Sequence, residues 1–214
     1  MNDISYHKET MKEQIQKPFT VKRWTLMTCA GWVIGILLIF GLGALTETLG
    51  IGGDSGGQFG IGIGMGAGVG WMQAIALRKH IQATQKWFWF SVLGFSASYI
   101  LFDIIVIFIP VDLRAETVLP LASALGAAFA GWLQYYFLLK SISPRAKRWV
   151  IYNCGSWLLA HLFTESIFLI NMGKEPRYII IPLIFIMLLV GGGPLLGILT
   201  GRFLVSVFKK ENTP

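Results

Sequence analysis

Charge and cysteine are both scarce in this chain. Only 14% of its 214 residues are charged, and two cysteines, Cys29 and Cys154, are all it has. Neither is read as part of a disulfide or a metal site; in apolar surroundings both serve as small packing residues with free thiols. The polar stretch 1–22 is not followed by a short apolar region with a small-residue cleavage site, so no cleaved signal peptide is expected. A nucleotide loop is missing as well. From Gly60 to Gly70 glycine recurs with a strict period of two, without Gly-x-Gly-x-x-Gly and without a following Gly-Lys-Ser/Thr. The string Asp54-Ser55-Gly56 suggests a serine nucleophile, but His7 and His80 belong to the opposite side of the chain's topology, and a catalytic triad is not read.

What the chain has in abundance is apolar sequence. Hydrophobic residues make up 54% and the mean hydropathy is +0.62, too apolar for a soluble domain of this size. Six stretches approach or exceed the roughly 20 residues that cross a bilayer as a helix. They are Trp24 to Leu45, Phe59 to Leu77, Trp87 to Pro110, Val118 to Leu139, Val150 to Ile170 and Ile179 to Phe208.

The net charge of +7 is distributed as a membrane protein distributes it. Lys8, Lys12, Lys17, Lys22 and Arg23 precede the first stretch. Arg78, Lys79 and Lys86 lie between the second and third; Lys140, Arg145, Lys147 and Arg148 between the fourth and fifth; Arg202, Lys209 and Lys210 at the end. Fifteen of the 18 basic residues thus fall on one side, and the positive-inside rule places both termini in the cytoplasm of a cell bounded by this plasma (inner) membrane. Nucleic acid is not an expected partner; the lipid bilayer is. Trp24, Trp87, Trp89 and Trp149 beside the basic connectors read as an aromatic belt at the interface.

The sequence repeats itself. GWMQAIALRKH from Gly70 aligns with GWLQYYFLLKS from Gly131, and Trp24, Trp87 and Trp149 each open an odd-numbered helix. Four residues on stand Thr28, Ser91 and Asn153, and eight residues on Trp32, Phe95 and Trp157. In the even-numbered helices Gly66, Gly70, Gln73 and Leu77 match Ala127, Gly131, Gln134 and Leu138, and Gly193, Gly197, Thr200 and Leu204 follow the same spacing. The expected fold is therefore all-α and transmembrane. It is a six-helix bundle made of three parallel two-helix repeats (approximately 24–78, 87–140 and 149–205) with pseudo-threefold symmetry. A polar tail (1–22) and a short one (209–214) flank the transmembrane domain (23–208).

On these motifs the chain resembles a group of uncharacterised bacterial multipass membrane proteins. In them a Gly-x-x-x-Gly-x-x-Gln-x-x-x-Leu-basic helix alternates with a Trp and Gly-Trp helix. Gly66, Gly70, Gln73, Leu77 and Arg78 all fit; the last helix departs, with Thr200 for glutamine and Val205 for the basic residue. The resemblance implies fold and membrane location and no activity.

Several residues are candidates for more than packing. Asp103 and Glu165 are acids inside apolar segments, each sixteen residues after its opening tryptophan, and an acid in hydrocarbon is a ligand, ion or proton site by default. Both stand near the outer ends, where headgroups or water are in reach. Tyr99 and His161 precede them by one turn on the same helical faces. Gln73, Gln134 and Thr200 form an inner polar layer that bonds neighbouring helices or meets a small molecule or ion near the axis. Gly62, Gly66, Gly70, Gly131, Gly193 and Gly197 are packing glycines of a close helix contact, read as the contact within each hairpin. In Val190 to Gly197, three glycines and Pro194 predict a kink.

No catalytic residue, cofactor or metal is assigned. The leading expectation is a small transporter, permease or ligand-binding bundle with a site between repeats. The alternative is a structural or accessory membrane protein, followed by an intramembrane metal-dependent enzyme using His161, Glu165 and Asp103. Oligomeric state is not encoded in any motif.

Overall fold

A computed structural model describes residues 18–50, 58–108, 115–165 and 191–209. They form six α-helices: α1 (Val21–Thr48), α2 (Phe59–Leu77), α3 (Thr84–Phe108), α4 (Ala115–Gln134), α5 (Trp149–Glu165) and α6 (Gly192–Phe208). The described residues contain no strand. A π-helical turn, Tyr135–Leu139, extends α4, and a short 3₁₀ segment, Pro144–Arg148, leads into α5. Side-chain caps mark the start of α1 and of the 3₁₀ segment. Thr20 accepts from the Arg23 amide ahead of α1, and Ser143 accepts from the Arg145 amide with Pro144 behind it, where a missing N–H costs nothing.

Among the described residues, four helical spans are long and apolar enough to cross a bilayer: Val21–Thr48, Phe59–Leu77, Thr84–Phe108 and Val118–Leu139. The described part of α6 is apolar but 17 residues long. Pro194 falls in its first turn, and the residues upstream of Gly191, on which the expected kink depends, lie outside those described.

The helices contact one another in chain order, and α6 also packs on α1, so the six close into a ring. Hydrophobicity does not tell the inside of this ring from the outside. Phe108 and Ile151 are 78% and 74% exposed, whereas glycine, alanine, serine and tryptophan fill the buried faces. In a bilayer the outer face meets hydrocarbon, so small residues that let backbones approach mark the helix contacts instead.

Helix α2 shows this on two sides. A Cβ on Gly64 would stand 2.7 Å from Ile39 Cγ1 and 2.9 Å from the Gly35 carbonyl, both on α1. A Cβ on Gly62 or Gly66 would stand 2.8 Å from the carbonyl of Phe95 or Ser91 on α3. The stripe of Gly62, Gly66 and Gly70 therefore faces the next hairpin rather than its own partner, and the reading of it as the contact within the hairpin is corrected. Gly131 likewise faces Val150 and Asn153 of α5, and Gly193 and Gly197 face Cys29 and Thr25 of α1. Position Gly70 lies one turn before Gln73, and the close approach there brings the next odd-numbered helix within reach of that amide.

Inside the ring the aromatic residues form two layers. Trp24, Trp87 and Trp149 are all 0% exposed; Trp24 meets Trp87 edge to face at 6.0 Å, and Trp87 lies 5.5 Å from Trp149. Trp32, Phe95 and Trp157 make the second layer, with centroids 5.6 Å and 4.3 Å apart for Trp32–Trp157 and Phe95–Trp157. The interfacial belt expected of Trp24, Trp87 and Trp149 is thus replaced by a buried triad. Trp89 alone of the four is exposed. An indole can leave the interface only if its N–H finds an acceptor inside.

Candidate functional site: a buried polar layer

Each indole of the triad finds that acceptor on the even-numbered helix preceding its own around the ring. Trp87 Nε1 donates to Gln73 Oε1 at 3.2 Å, Trp149 Nε1 to Gln134 Oε1 at 2.8 Å, and Trp24 Nε1 to Thr200 Oγ1 at 2.8 Å. The glutamines use their other end as well. Gln73 Nε2 donates to Thr28 Oγ1 at 3.4 Å, and Gln134 Nε2 to Ser91 Oγ at 3.0 Å. Each amide therefore ties the odd-numbered helices on its two sides, α1 and α3 for Gln73, α3 and α5 for Gln134.

Where α6 carries Thr200, the shorter side chain cannot bridge. Its hydroxyl accepts from Trp24 and donates to the Leu196 carbonyl at 2.6 Å. Asn153, four residues after Trp149 as Thr28 and Ser91 are four after Trp24 and Trp87, donates instead to the Ala127 carbonyl at 2.8 Å. The residues of this layer are all at most 5% exposed.

Gln73, Ser91, Gln134 and Asn153 border an internal cavity of about 10 Å³, counted as space for the centre of a water molecule, beside Phe95 and Trp157. That is room for about one water, with polar partners to hold it. Low dielectric strengthens such a network and makes every lost partner costly. Its chemistry is cohesion between helices, because donors and acceptors are directed at one another.

The outer acid region is organised differently. Asp103 Oδ2 accepts the backbone N–H of Phe59 at 2.9 Å, so a carboxylate of α3 caps the start of α2, where unpaired amides and the helix dipole favour negative charge. Its Oδ1 is buried without a hydrogen-bond partner. Tyr99, fully buried, shares a 2.6 Å hydrogen bond with Ser123 on α4. His161 packs against Trp32 and Trp157, at 5.7 and 5.9 Å, and its Nε2 is buried and unpartnered. The Glu165 side chain lies outside the described residues. Among the described residues no three His, Cys, Asp or Glu side chains converge as metal ligands. Cys29 and Cys154 are free thiols, partly buried.

Sequence spacing singled out Gln73, Gln134 and Thr200 and, separately, Trp24, Trp87 and Trp149, but not the bonds that join the two sets. The signal was present: Trp87 and Trp149 follow their glutamines by 14 and 15 residues. The chain matches no protein-family model, no curated protein and no solved structure.

Proposed function

We propose that this is a plasma-membrane protein of six crossings, with both termini cytoplasmic, whose role is structural or accessory rather than solute translocation. Three hairpins related by a pseudo-threefold axis along the membrane normal make the bundle. The cyclic bonds of Trp87 to Gln73, Trp149 to Gln134 and Trp24 to Thr200 support that repeat. The observation that carries the functional reading is the closure of the polar layer. Gln73 and Gln134 spend both ends of their amides on protein partners around a cavity for about one water. What such a bundle offers to lipids or other proteins is its outer surface and its basic connectors.

Cysteine accessibility tests this. In a background lacking Cys29 and Cys154, Ser91→Cys and Ala130→Cys are expected to resist a membrane-impermeant maleimide from either side, while Lys79→Cys reacts from the cytoplasm alone. Reaction of Ser91→Cys or Ala130→Cys from one side would reveal an access path.

Such a path would favour the second reading, a transporter or ligand-binding bundle. The observation on its side is the unpartnered His161 Nε2 and Asp103 Oδ1, two buried polar atoms that a moving ion or proton would engage.

A further inference from the structure

An open groove of about 590 Å³ runs over the outside of the α2–α3 junction. Trp71 and Trp89, 56% and 59% exposed, line it together with Ala74, Ile75 and Phe88. At one end stand Arg78, which follows α2, and Thr84 and Gln85, which open α3. Among the described residues Arg78 has no ion pair. The helix start at Thr84 adds positive dipole and hydroxyl and amide donors, and Lys79 and Lys86 flank it. Asp103 sits at the other end of α2, roughly 28 Å away at 1.5 Å per residue.

We infer that this groove binds one anionic phospholipid of the cytoplasmic leaflet. The phosphate meets Arg78, Thr84 and Gln85, and an acyl chain lies between Trp71 and Trp89. Charge complementarity selects the occupant: basic pockets between transmembrane helices on the cytoplasmic side suit anionic headgroups. Tryptophans at the interface present an apolar body to the chain and a polar edge to the headgroup. The α4–α5 junction is built from the same repeat but lacks the site. There the fully buried Leu139 stands where Arg78 does, Lys140 lies 5.1 Å over the Tyr136 ring, and Ala146 and Ile151 stand where Thr84 and Trp89 do. The inference rests on the membrane reading above, with this connector at the cytoplasmic headgroups, and not on the closed core.

The test is native mass spectrometry of the full chain released from nanodiscs of equimolar phosphatidylglycerol and phosphatidylcholine. The wild type is expected to retain one phosphatidylglycerol in preference. R78Q should lower that preference roughly fivefold, the weight of one basic residue near a membrane surface. R78K should keep most of it, and K140Q all of it. The W71A/W89A variant should lose both lipids together. Where R78Q does not fold, T84A/Q85A gives the same reading by a lowered preference. No preference in the wild type, no change in R78Q or T84A/Q85A, or an equal loss in K140Q would overturn the site. A chain that enters neither lipid and stays in water would overturn the membrane reading with it.

Discussion

The indole N–H of Trp149 points at Gln134 Oε1 across 2.8 Å, and the same amide donates from its nitrogen to Ser91. One side chain thereby joins three helices. Gln134→Leu strands a buried indole donor, which costs about 1–3 kcal/mol. Hydrogen bonds between membrane helices average nearer about 0.6 kcal/mol in double-mutant cycles. We expect Gln134→Leu and Trp149→Phe to couple by about 0.5–1.5 kcal/mol when unfolding is followed in mixed micelles. Strictly additive effects would show that the bond contributes nothing.

Two glycines separate close packing from helix propensity. A Cβ on Gly68 would run into the backbone of Gly31 and Gly35, whereas a Cβ on Gly41 would meet nothing within 4 Å. Overpacking costs about 1–3 kcal/mol, while replacing a free helical glycine by alanine gains about 0.5–1 kcal/mol. Gly68→Ala should therefore lower the thermal midpoint and Gly41→Ala hold or raise it. A reversed order would mean that α1 and α2 do not approach as described. The larger change Gly64→Leu, against Ile39 and Gly35, should act like Gly68→Ala but more strongly.

Asp103 is assigned to capping, and its variants discriminate. Asp103→Leu leaves the Phe59 amide without its acceptor and should cost about 0.5–2 kcal/mol, the range for losing a cap. Asp103→Asn keeps an acceptor oxygen and should recover most of that. If instead the two variants are equally stable while a cation that stabilises the wild type no longer acts on either, the carboxylate is an ion ligand.

His80 gives a pH dependence of known sign. It lies in the α2–α3 connector against the rings of Phe19 and Phe208, at 5.4 and 5.5 Å, which also touch each other. Burial lowers its pKa from 6.5, and the charges of Arg23 and Lys79 push the same way. Well above pH 6.5 the ring is neutral whether the chain is folded or not, so stability is unaffected by it. As pH falls below 6.5 the unfolded chain binds the proton first, and stability drops until the folded ring also titrates. His80→Phe keeps a ring in this aromatic cluster and should flatten the melting temperature across that window. An unchanged pH slope in His80→Phe would assign the effect to another group.

The order of the apolar stretches and the recurring spacing of Trp, Gln and Gly are written in the sequence. Phe59 and Leu77 bound a helix in both the sequence reading and the structure. In lipid a long apolar run can satisfy its backbone within itself only as a helix, which makes this part local and legible. The packing partner of each face was not legible. The glycine stripe at Gly62, Gly66 and Gly70 was assigned to the wrong neighbour, because a small face says that something approaches closely and not which helix it is. The fate of Trp24, Trp87 and Trp149 depended on the same missing information: beside basic connectors an indole suits the interface, unless another helix brings an acceptor within 3.2 Å. Local chemistry thus set which segments are helices and which residues are polar inside them. Only the packing of neighbouring helices around the ring, with α6 on α1 for Trp24 and Thr200, decided that those polar groups meet one another, because hydrogen bonds across helices are fixed by tertiary approach and not by spacing along the chain.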